Sequence, residues 1–377
     1  MKDHSPIQNY WQHEEILDTA ERFFGSLLKG INNATSSIDM DFYIFEEDAL
    51  GRQVIDALIT AAHKGVTVRV LIDGWGSMFS AGSIATQLSK AGIQVRIFHP
   101  FPFTPQVFRW SNQPGTRLQQ FFNSFRLVNR RNHHKLCIVD RRQFWTGSFN
   151  ISILHLGKEQ GGKNWHDYGV TIRDNNLHPI TDAFNHIFEQ KTYRPRRLYL
   201  QKIRSNITSV LRRISNNLLV RRISGAQHRV WICNAYFSPS MKVLRAIRSA
   251  RRKNVDVRII LPAQSDVFFM PLLSRTYYRK LLRQGVTIYE YQPSILHAKL
   301  ILFDQQCMMG SSNLNHRSLL HDLELDIVLS HAESISRIEH LLLNDMKLSR
   351  KITLEDIEKQ TVLLFFARFM RLFRYWI

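Results

Sequence analysis

Apolar runs and helical periodicities occur in the same order twice along this chain. Ile38 to Phe45 is a β-rich apolar run, Arg52 to Lys64 carries apolar residues at helical spacing, and Val66 to Ile72 is strand-like again. Val230 to Ala235, Met241 to Arg252 and Val255 to Leu261 repeat that order. The likeness extends to individual residues. AAHKGVTVRV (61–70) resembles RRKNVDVRII (251–260), and KAGIQVRIFHP (90–100) resembles RQGVTIYEYQP (283–293). Strands alternating with helices predict an α/β fold, with two similar halves that each hold a mainly parallel sheet flanked by helices.

The repeat also sets the expected boundaries. Residues 1–190 form the first half, 191–224 a connector, 225–345 the second half and 346–377 a C-terminal tail. The landmark at Lys90 recurs 193 residues later, whereas the histidine motif described below recurs after 164, so the first half carries a 29-residue insertion near 101–130. Its prolines, aromatics and arginines fit a loop facing a ligand or surface, and equally a surface insertion without function. The connector from Lys191 to Ser224 has 10 basic residues and no acidic one, with Leu198, Ile203, Ile207, Leu211, Ile214 and Leu218 at helical spacing. It reads as a basic amphipathic helix, either a solvated face or one that binds an anionic surface. The tail from Thr361 to Ile377 is rich in Phe, Leu and Trp and places Arg368, Arg371 and Arg374 on one side. That suits a membrane-associating helix, with docking on the core as the alternative.

Composition narrows the partners. With 51 Lys and Arg against 31 Asp and Glu, the net charge of +20 calls for an anionic partner, either nucleic acid or an acidic membrane surface. Cys137, Cys233 and Cys307 are too few and too scattered for a disulfide framework, and each lies in or beside an apolar run, which predicts buried free thiols. The N-terminus lacks the layout of a signal peptide, and no run of about 18 uncharged apolar residues occurs, so neither a signal peptide nor a transmembrane helix is expected.

The repeat also carries the chemistry. His-x-Lys-x4-Asp occurs as His133, Lys135 and Asp140, and again as His297, Lys299 and Asp304. Each copy is followed by a small polar turn, containing Ser148 and Asn150 in the first half and Ser311 and Asn313 in the second. The apolar runs 136–139 and 300–303 put both motifs on buried strands, where residues two apart share a side, so each histidine faces the same way as its lysine. A histidine titrates near neutrality and can attack phosphorus or donate a proton. Lysines supply positive charge for the phosphate oxygens, and the turn residues add hydrogen bonds. With that charge in place no metal and no cofactor is expected. A lone His-x-Lys would mean little. Two copies at equivalent places of a repeat are specific.

These motifs resemble the phospholipase D superfamily over roughly residues 15 to 345, and DFYIFEEDALG, ICNAYFSPS, GVTIYEYQPSILHAKLILFD and GSSNLNHRSL are similar to bacterial cardiolipin synthases of a short type. The resemblance implies a pseudo-two-fold axis between the halves, a covalent phosphohistidine on one histidine and proton donation by the other, with His133 as nucleophile. It implies that Asp167 and Glu324, each just before an alternating strand, orient the histidines. Asp140 and Asp304 belong to the catalytic motif and are expected to serve it structurally. The implied reaction is transfer of a phosphatidyl group from phosphatidylglycerol or phosphatidylethanolamine to phosphatidylglycerol. The implied partner is an anionic phospholipid membrane, with peripheral attachment to the cytoplasmic face of the bacterial inner membrane.

Three other readings stand beside this one: phospholipase D hydrolysis to phosphatidic acid, a phosphodiesterase acting on nucleic acid, and a membrane scaffold with a decayed site. The aromatic tail and apolar loops weigh against nucleic acid, and the intact motifs weigh against decay. The oligomeric state is not written in these patterns.

Overall fold

The fold, given by a computed structural model, is described for residues 10–127, 130–193, 199–359 and 367. The first half runs β1 (His13–Leu17), α1 (Ala20–Asn32), β2 (Ser37–Phe42), α2 (Ala49–His63), β3 (Thr67–Asp73), α3 (Ala81–Lys90), β4 (Gln94–Phe98), α4 (Arg117–Arg126), β5 (Lys135–Val139), β6 (Gln143–Gly147), β7 (Gly169–Arg173) and α5 (His178–Phe188). The second runs α6 (Tyr199–Lys202), β8 (Ile203–Ser205), α7 (Ser209–Gly225), β9 (Arg229–Asn234), α8 (Met241–Arg252), β10 (Asp256–Pro262), α9 (Met270–Leu282), β11 (Thr287–Tyr291), β12 (Lys299–Phe303), β13 (Gln306–Gly310), α10 (His316–Leu320), β14 (Leu325–Leu329), α11 (Ala332–Lys347), β15 (Ser349–Ile352) and α12 (Leu354–Glu358).

Each half builds one mixed sheet, in the orders β1-β7-β6-β5-β2-β3-β4 and β15-β11-β10-β9-β12-β13-β14-β8. The strand–helix–strand repeat gives the parallel part, β2-β3-β4 and β9-β10-β11. The strands that carry and follow the motifs, β5-β6-β7 and β12-β13-β14, are antiparallel. The reason lies in the connections. Crossover helices favour parallel pairing in β2-β3-β4 and β9-β10-β11, whereas the short turns at 140–142 and 304–305 make β5-β6 and β12-β13 hairpins; β7 and β14 return antiparallel beside them through longer connections.

Strand alternation sorts side chains into three apolar cores. Leu136 and Ile138 of β5 meet Leu300 and Leu302 of β12 in a core shared by both halves. Cys137 and Val139 face the helices of the first half, and Ile301 and Phe303 those of the second. The three cysteines are buried and free, as the sequence predicts.

Several segments sit differently from the expected boundaries. The connector is not a single helix, because Ile203–Ser205 joins the second sheet beside β14. The buried Arg204–Asp326 ion pair, at 2.6 Å, fixes that edge. Helix α7 then buries Leu211, Leu219 and Ile223 against the second half. The second half also continues past 345, since β15 pairs antiparallel with β11. The aromatic tail, 360–366 and 368–377, lies outside the described residues. No helix among the described residues is long and apolar enough to cross a membrane.

Candidate active site

Strand β5 runs antiparallel to β2 with Lys135 opposite Phe42, so its start lies beside the ends of the parallel strands. Strand β12 does the same against β9, with Lys299 opposite Asn234. His133 and His297 therefore sit at corresponding sheet edges, and both line one cavity of about 340 Å³. The backbone closes this cavity reciprocally. His133 N–H donates to the Leu323 carbonyl (2.9 Å) and Leu323 N–H to that of Arg131 (2.8 Å). His297 N–H donates to the His166 carbonyl and His166 N–H to that of Ile295, each at 2.8 Å.

These bridges bring the carboxylate of one half onto the histidine of the other. His133 Nδ1 is 3.0 Å from Glu324 Oε2, and His297 Nδ1 is 2.9 Å from Asp167 Oδ1. Such a contact fixes ring orientation and tautomer, and leaves Nε2 for chemistry. The lysines stand alongside. Lys135 Nζ donates to the His133 carbonyl at 3.1 Å and lies 5.2 Å from the centre of the Tyr43 ring. Lys299 Nζ is 3.0 Å from His297 Nε2 and 6.0 Å from the Tyr236 ring centre.

Burial sets the electrostatics, and the two sites differ. Burial, reinforced by the charges of Lys135 and Lys299, pushes His133 well below its usual range. His297 is lowered too, by burial and then Lys299, but Asp167 opposes the shift. Burial alone would raise Asp167, yet the facing His297 and His155 outweigh it and hold the carboxyl well below its usual range. Glu324 goes the other way, lifted to about 7 by burial and the nearby Asp326. Burial lowers Lys135 to about 7 and Lys299 to about 8. One histidine thus faces a firmly ionised carboxylate, and the other faces a carboxyl that titrates near neutrality.

The turn residues divide into two kinds. Asn150 and Asn313 line the cavity. Ser148 and Ser311 do not, which departs from the phosphate-binding role expected of them. Ser148 Oγ bonds both the carbonyl and the N–H of Tyr168, and Ser311 Oγ bonds Glu324 Oε2 and the Leu325 backbone. The turn's glycine explains this closeness. A Cβ on Gly147 would lie 2.5 Å from the Tyr168 carbonyl oxygen, and one on Gly310 2.3 Å from that of Leu325.

Asp140 and Asp304, grouped with the catalytic residues by the motif, also lie outside the cavity. They follow the far ends of β5 and β12, five residues from the lysines and about 16 Å away at strand spacing. Asp140 takes the N–H groups of Thr35, Ser36 and Ser37 and both hydroxyls of Thr35 and Ser36. Asp304 takes the N–H groups of Gln227, His228 and Arg229. Each anchors the start of the neighbouring strand, so the motif's aspartate has a structural role. Burial would raise Asp140, but those donors outweigh it and lower its carboxyl to about 2. Its stabilisation is complete above the usual value of 3.8 and is lost as pH falls towards 2. Asp140→Ala should therefore lower stability at pH 7 by about 1–2 kcal/mol after allowance for solvent exposure, with little change in turnover. Denaturant melts at pH 7 and pH 3 check this, because the difference between variant and wild type should shrink at the lower pH.

This arrangement has counterparts in known proteins. A family model described as "Cardiolipin synthase, PLD-like domain" matches residues 27–191 and 219–346. A cardiolipin synthase of Clostridium perfringens is 30% identical over 365 residues, spanning 91% of this chain and 72% of that protein. A minor cardiolipin synthase of Bacillus subtilis is 29% identical, spanning 92% of this chain and 84% of its own. The chain belongs to the phospholipase D-like cardiolipin synthase family. It is an enzyme of the phospholipase D superfamily, a phosphatidyltransferase of the cardiolipin synthase type. The fold is shared with a phosphatidylserine synthase of Haemophilus influenzae, with a TM-score of 0.68 and 14% identity across 97% of this chain and 95% of that one.

Sequence reading alone missed several cavity residues of this family member. Tyr43 lies edge-on to His133 at 4.7 Å between ring centres, and Tyr236 occupies the matching place by His297 at 6.2 Å. Their signal was present in the repeat, DFYIF against NAYFS. His155 and Ser318 each stand five residues after the turn's asparagine and each bond back to it. Asn150 N–H donates to His155 Nε2, and Asn313 N–H to Ser318 Oγ. His155 Nδ1 is also 2.8 Å from Asp167 Oδ2. Among the described residues, His155, Asp167 and His297 form one group with metal-ligand proximity, and in it both imidazole Nδ1 atoms are turned onto the carboxylate between them. Arg317 and Asp322 pair at 2.8 Å on the cavity wall.

Proposed function

We propose that the chain makes cardiolipin by moving a phosphatidyl group from one phospholipid to the hydroxyl of phosphatidylglycerol. The observation that carries this reading is the pair of buried histidines in one cavity, each with a lysine of its own half and a carboxylate of the other. His133 Nε2 attacks the donor phosphorus, the bond from phosphorus to the leaving alcohol breaks, and His297 gives that alcohol a proton. The acceptor hydroxyl then attacks phosphorus, passes its proton to His297, and releases His133. With phosphatidylglycerol as donor the products are cardiolipin and glycerol.

The asymmetry supports these roles. A histidine kept neutral by burial and two ammonium groups offers a lone pair. A histidine against a firmly ionised carboxylate is better able to carry the proton. Lys135 and Lys299 balance the phosphate charge in both steps.

The test is to mix the protein with phosphatidylglycerol vesicles, with and without phosphatidylethanolamine, and to identify the lipid products by mass spectrometry. Cardiolipin that fails to form with His133→Ala is the expected result. Phosphatidic acid alone would show that water resolves the intermediate and would replace the transferase by a phospholipase.

A further inference from the structure

The two most exposed large apolar side chains among the described residues, Phe79 at 96% and Phe268 at 87%, occupy the same place in the two halves. Strand β3 ends at Asp73 and β10 at Pro262, so each phenylalanine stands six residues past its strand. Each precedes the helix that follows, α3 or α9. These loops leave the ends of the parallel strands, the sheet edge at which β5 and β12 begin and the histidines stand. The repeat therefore sets one bare phenyl ring on the cavity side of each half.

The rim near these rings is also apolar. Phe268 contacts Phe269, which lines the cavity. From the first half a chain of ring contacts runs from Trp75 through Phe101, Phe103 and Phe125 to Phe121. Phe103 in that chain is 72% exposed. The chain starts at the cavity wall, because the Arg131 guanidinium stacks on Trp75 at 3.8 Å and Arg131 N–H donates to Asp322. Most of these rings come from the 101–130 insertion, which gives that segment a place beside the cavity.

The charge of the chain segment that carries Phe79 and the first-half rings matches the same partner. Between Asp73 and Asp140 the sequence has 66 residues with no Asp or Glu and eight Lys or Arg. In the second half Asp266, two residues before Phe268, is bonded by the Tyr236 hydroxyl. Two bare phenyl rings, the first of them in an acid-free basic stretch, suit the headgroup boundary of an anionic bilayer, where rings leave water and cations meet lipid phosphates.

We infer that the cavity rim is a membrane-docking face, with Phe79 and Phe268 as paired wedges that seat the opening on an anionic phospholipid surface. This rests on the reading of the enzyme as a lipid phosphatidyltransferase, and it adds the surface through which substrate arrives. A lipid presented from below keeps its acyl chains in the bilayer while its phosphate rises between the histidines.

The test measures binding without turnover. Wild type, the double variant F79S/F268S and the control L354S are sedimented with sucrose-loaded vesicles of phosphatidylglycerol and phosphatidylcholine, and each is run alone in the ultracentrifuge. Leu354 follows β15, whose end pairs with the start of β11 at the opposite end of the sheet. The double variant is expected to bind phosphatidylglycerol-containing vesicles roughly tenfold or more weakly, with L354S like wild type. Wild type should bind pure phosphatidylcholine more weakly than anionic vesicles. Equal vesicle binding by F79S/F268S and wild type would overturn the inference. So would a wild-type dimer that the double variant breaks with no loss of vesicle binding, since the rim would then cover a second copy. Because binding is read separately, vesicles can be bound without cardiolipin forming, and cardiolipin can form without these rings mattering.

Discussion

Replacing either His133 or His297 by alanine should lower lipid turnover by on the order of 10,000-fold, and the two variants should fail at different steps. In the proposed mechanism, loss of His133 removes the atom that bonds phosphorus, so no covalent intermediate should form. In the same mechanism, loss of His297 removes the proton donor, which matters only when the leaving alcohol needs a proton. A phosphodiester with a p-nitrophenyl leaving group separates the two cases. His297→Ala should release p-nitrophenol in a single burst and accumulate the phosphoryl group, with its remaining ester, on His133, because no base activates the acceptor. His133→Ala should show neither burst nor adduct. Peptide mass spectrometry at alkaline pH, where phosphohistidine survives, locates the phosphate. An adduct on His297 in the His133→Ala protein would reverse the assignment, and full turnover in both would end the two-histidine mechanism. The scaffold itself gives little reason for collapse, since both rings meet the cavity on one side.

Lys135→Met should make the protein inactive and more resistant to heat. The lysine is fully buried behind His133, whose carbonyl it bonds, and burial followed by the charge of Lys299 lowers it from a usual 10.5 to about 7. The sign follows from proton counting. Between about pH 7 and 10.5 the unfolded chain holds a proton that the folded chain has released, so stability rises with pH across that window. At pH 7 and below, nearly the whole cost of the buried ammonium is present, on the order of 4–5 kcal/mol. Methionine fills similar space without charge and relieves that cost, so the thermal midpoint at pH 7 should rise by several degrees, and the gain should shrink towards pH 10. Turnover should fall by roughly 100- to 1,000-fold, as expected when one group stabilising a developing charge is removed. Thermal melts of wild type and variant from pH 6 to pH 10, beside the vesicle assay, measure both effects. A variant that melts lower than wild type at pH 7 would show that the ammonium is stabilised by its surroundings. On the proposed mechanism this buried charge faces the substrate phosphate, so a phosphodiester bound beside His133 should offset part of its cost.

Much of this was legible in the chain because it depends on local pattern. The repeat announces two α/β halves, since apolar periodicity distinguishes strands from helices without reference to anything distant. The motifs announce their own strands, and period-two alternation puts His133 with Lys135 and His297 with Lys299. The buried state of Cys137, Cys233 and Cys307 follows from the apolar runs around them.

The family resemblance named Asp167 and Glu324, but tertiary structure alone decided which histidine each meets, and the rest. Asp167 reaches His297 across 130 positions and Glu324 reaches His133 across 191, and no local periodicity encodes a contact of that span. The displacement of Asp140, Asp304, Ser148 and Ser311 from the cavity lining depends on which neighbour offers unpaired backbone groups. The difference between the histidines arises in the same way, because His155 faces Asp167 whereas Ser318 and Asp326 act on Glu324. Sequence determined which residues could do chemistry, because that is a property of each side chain and its near neighbours. Folding decided which of them meet, how dry the meeting place is and which carboxylate ionises, because those are properties of distance and burial.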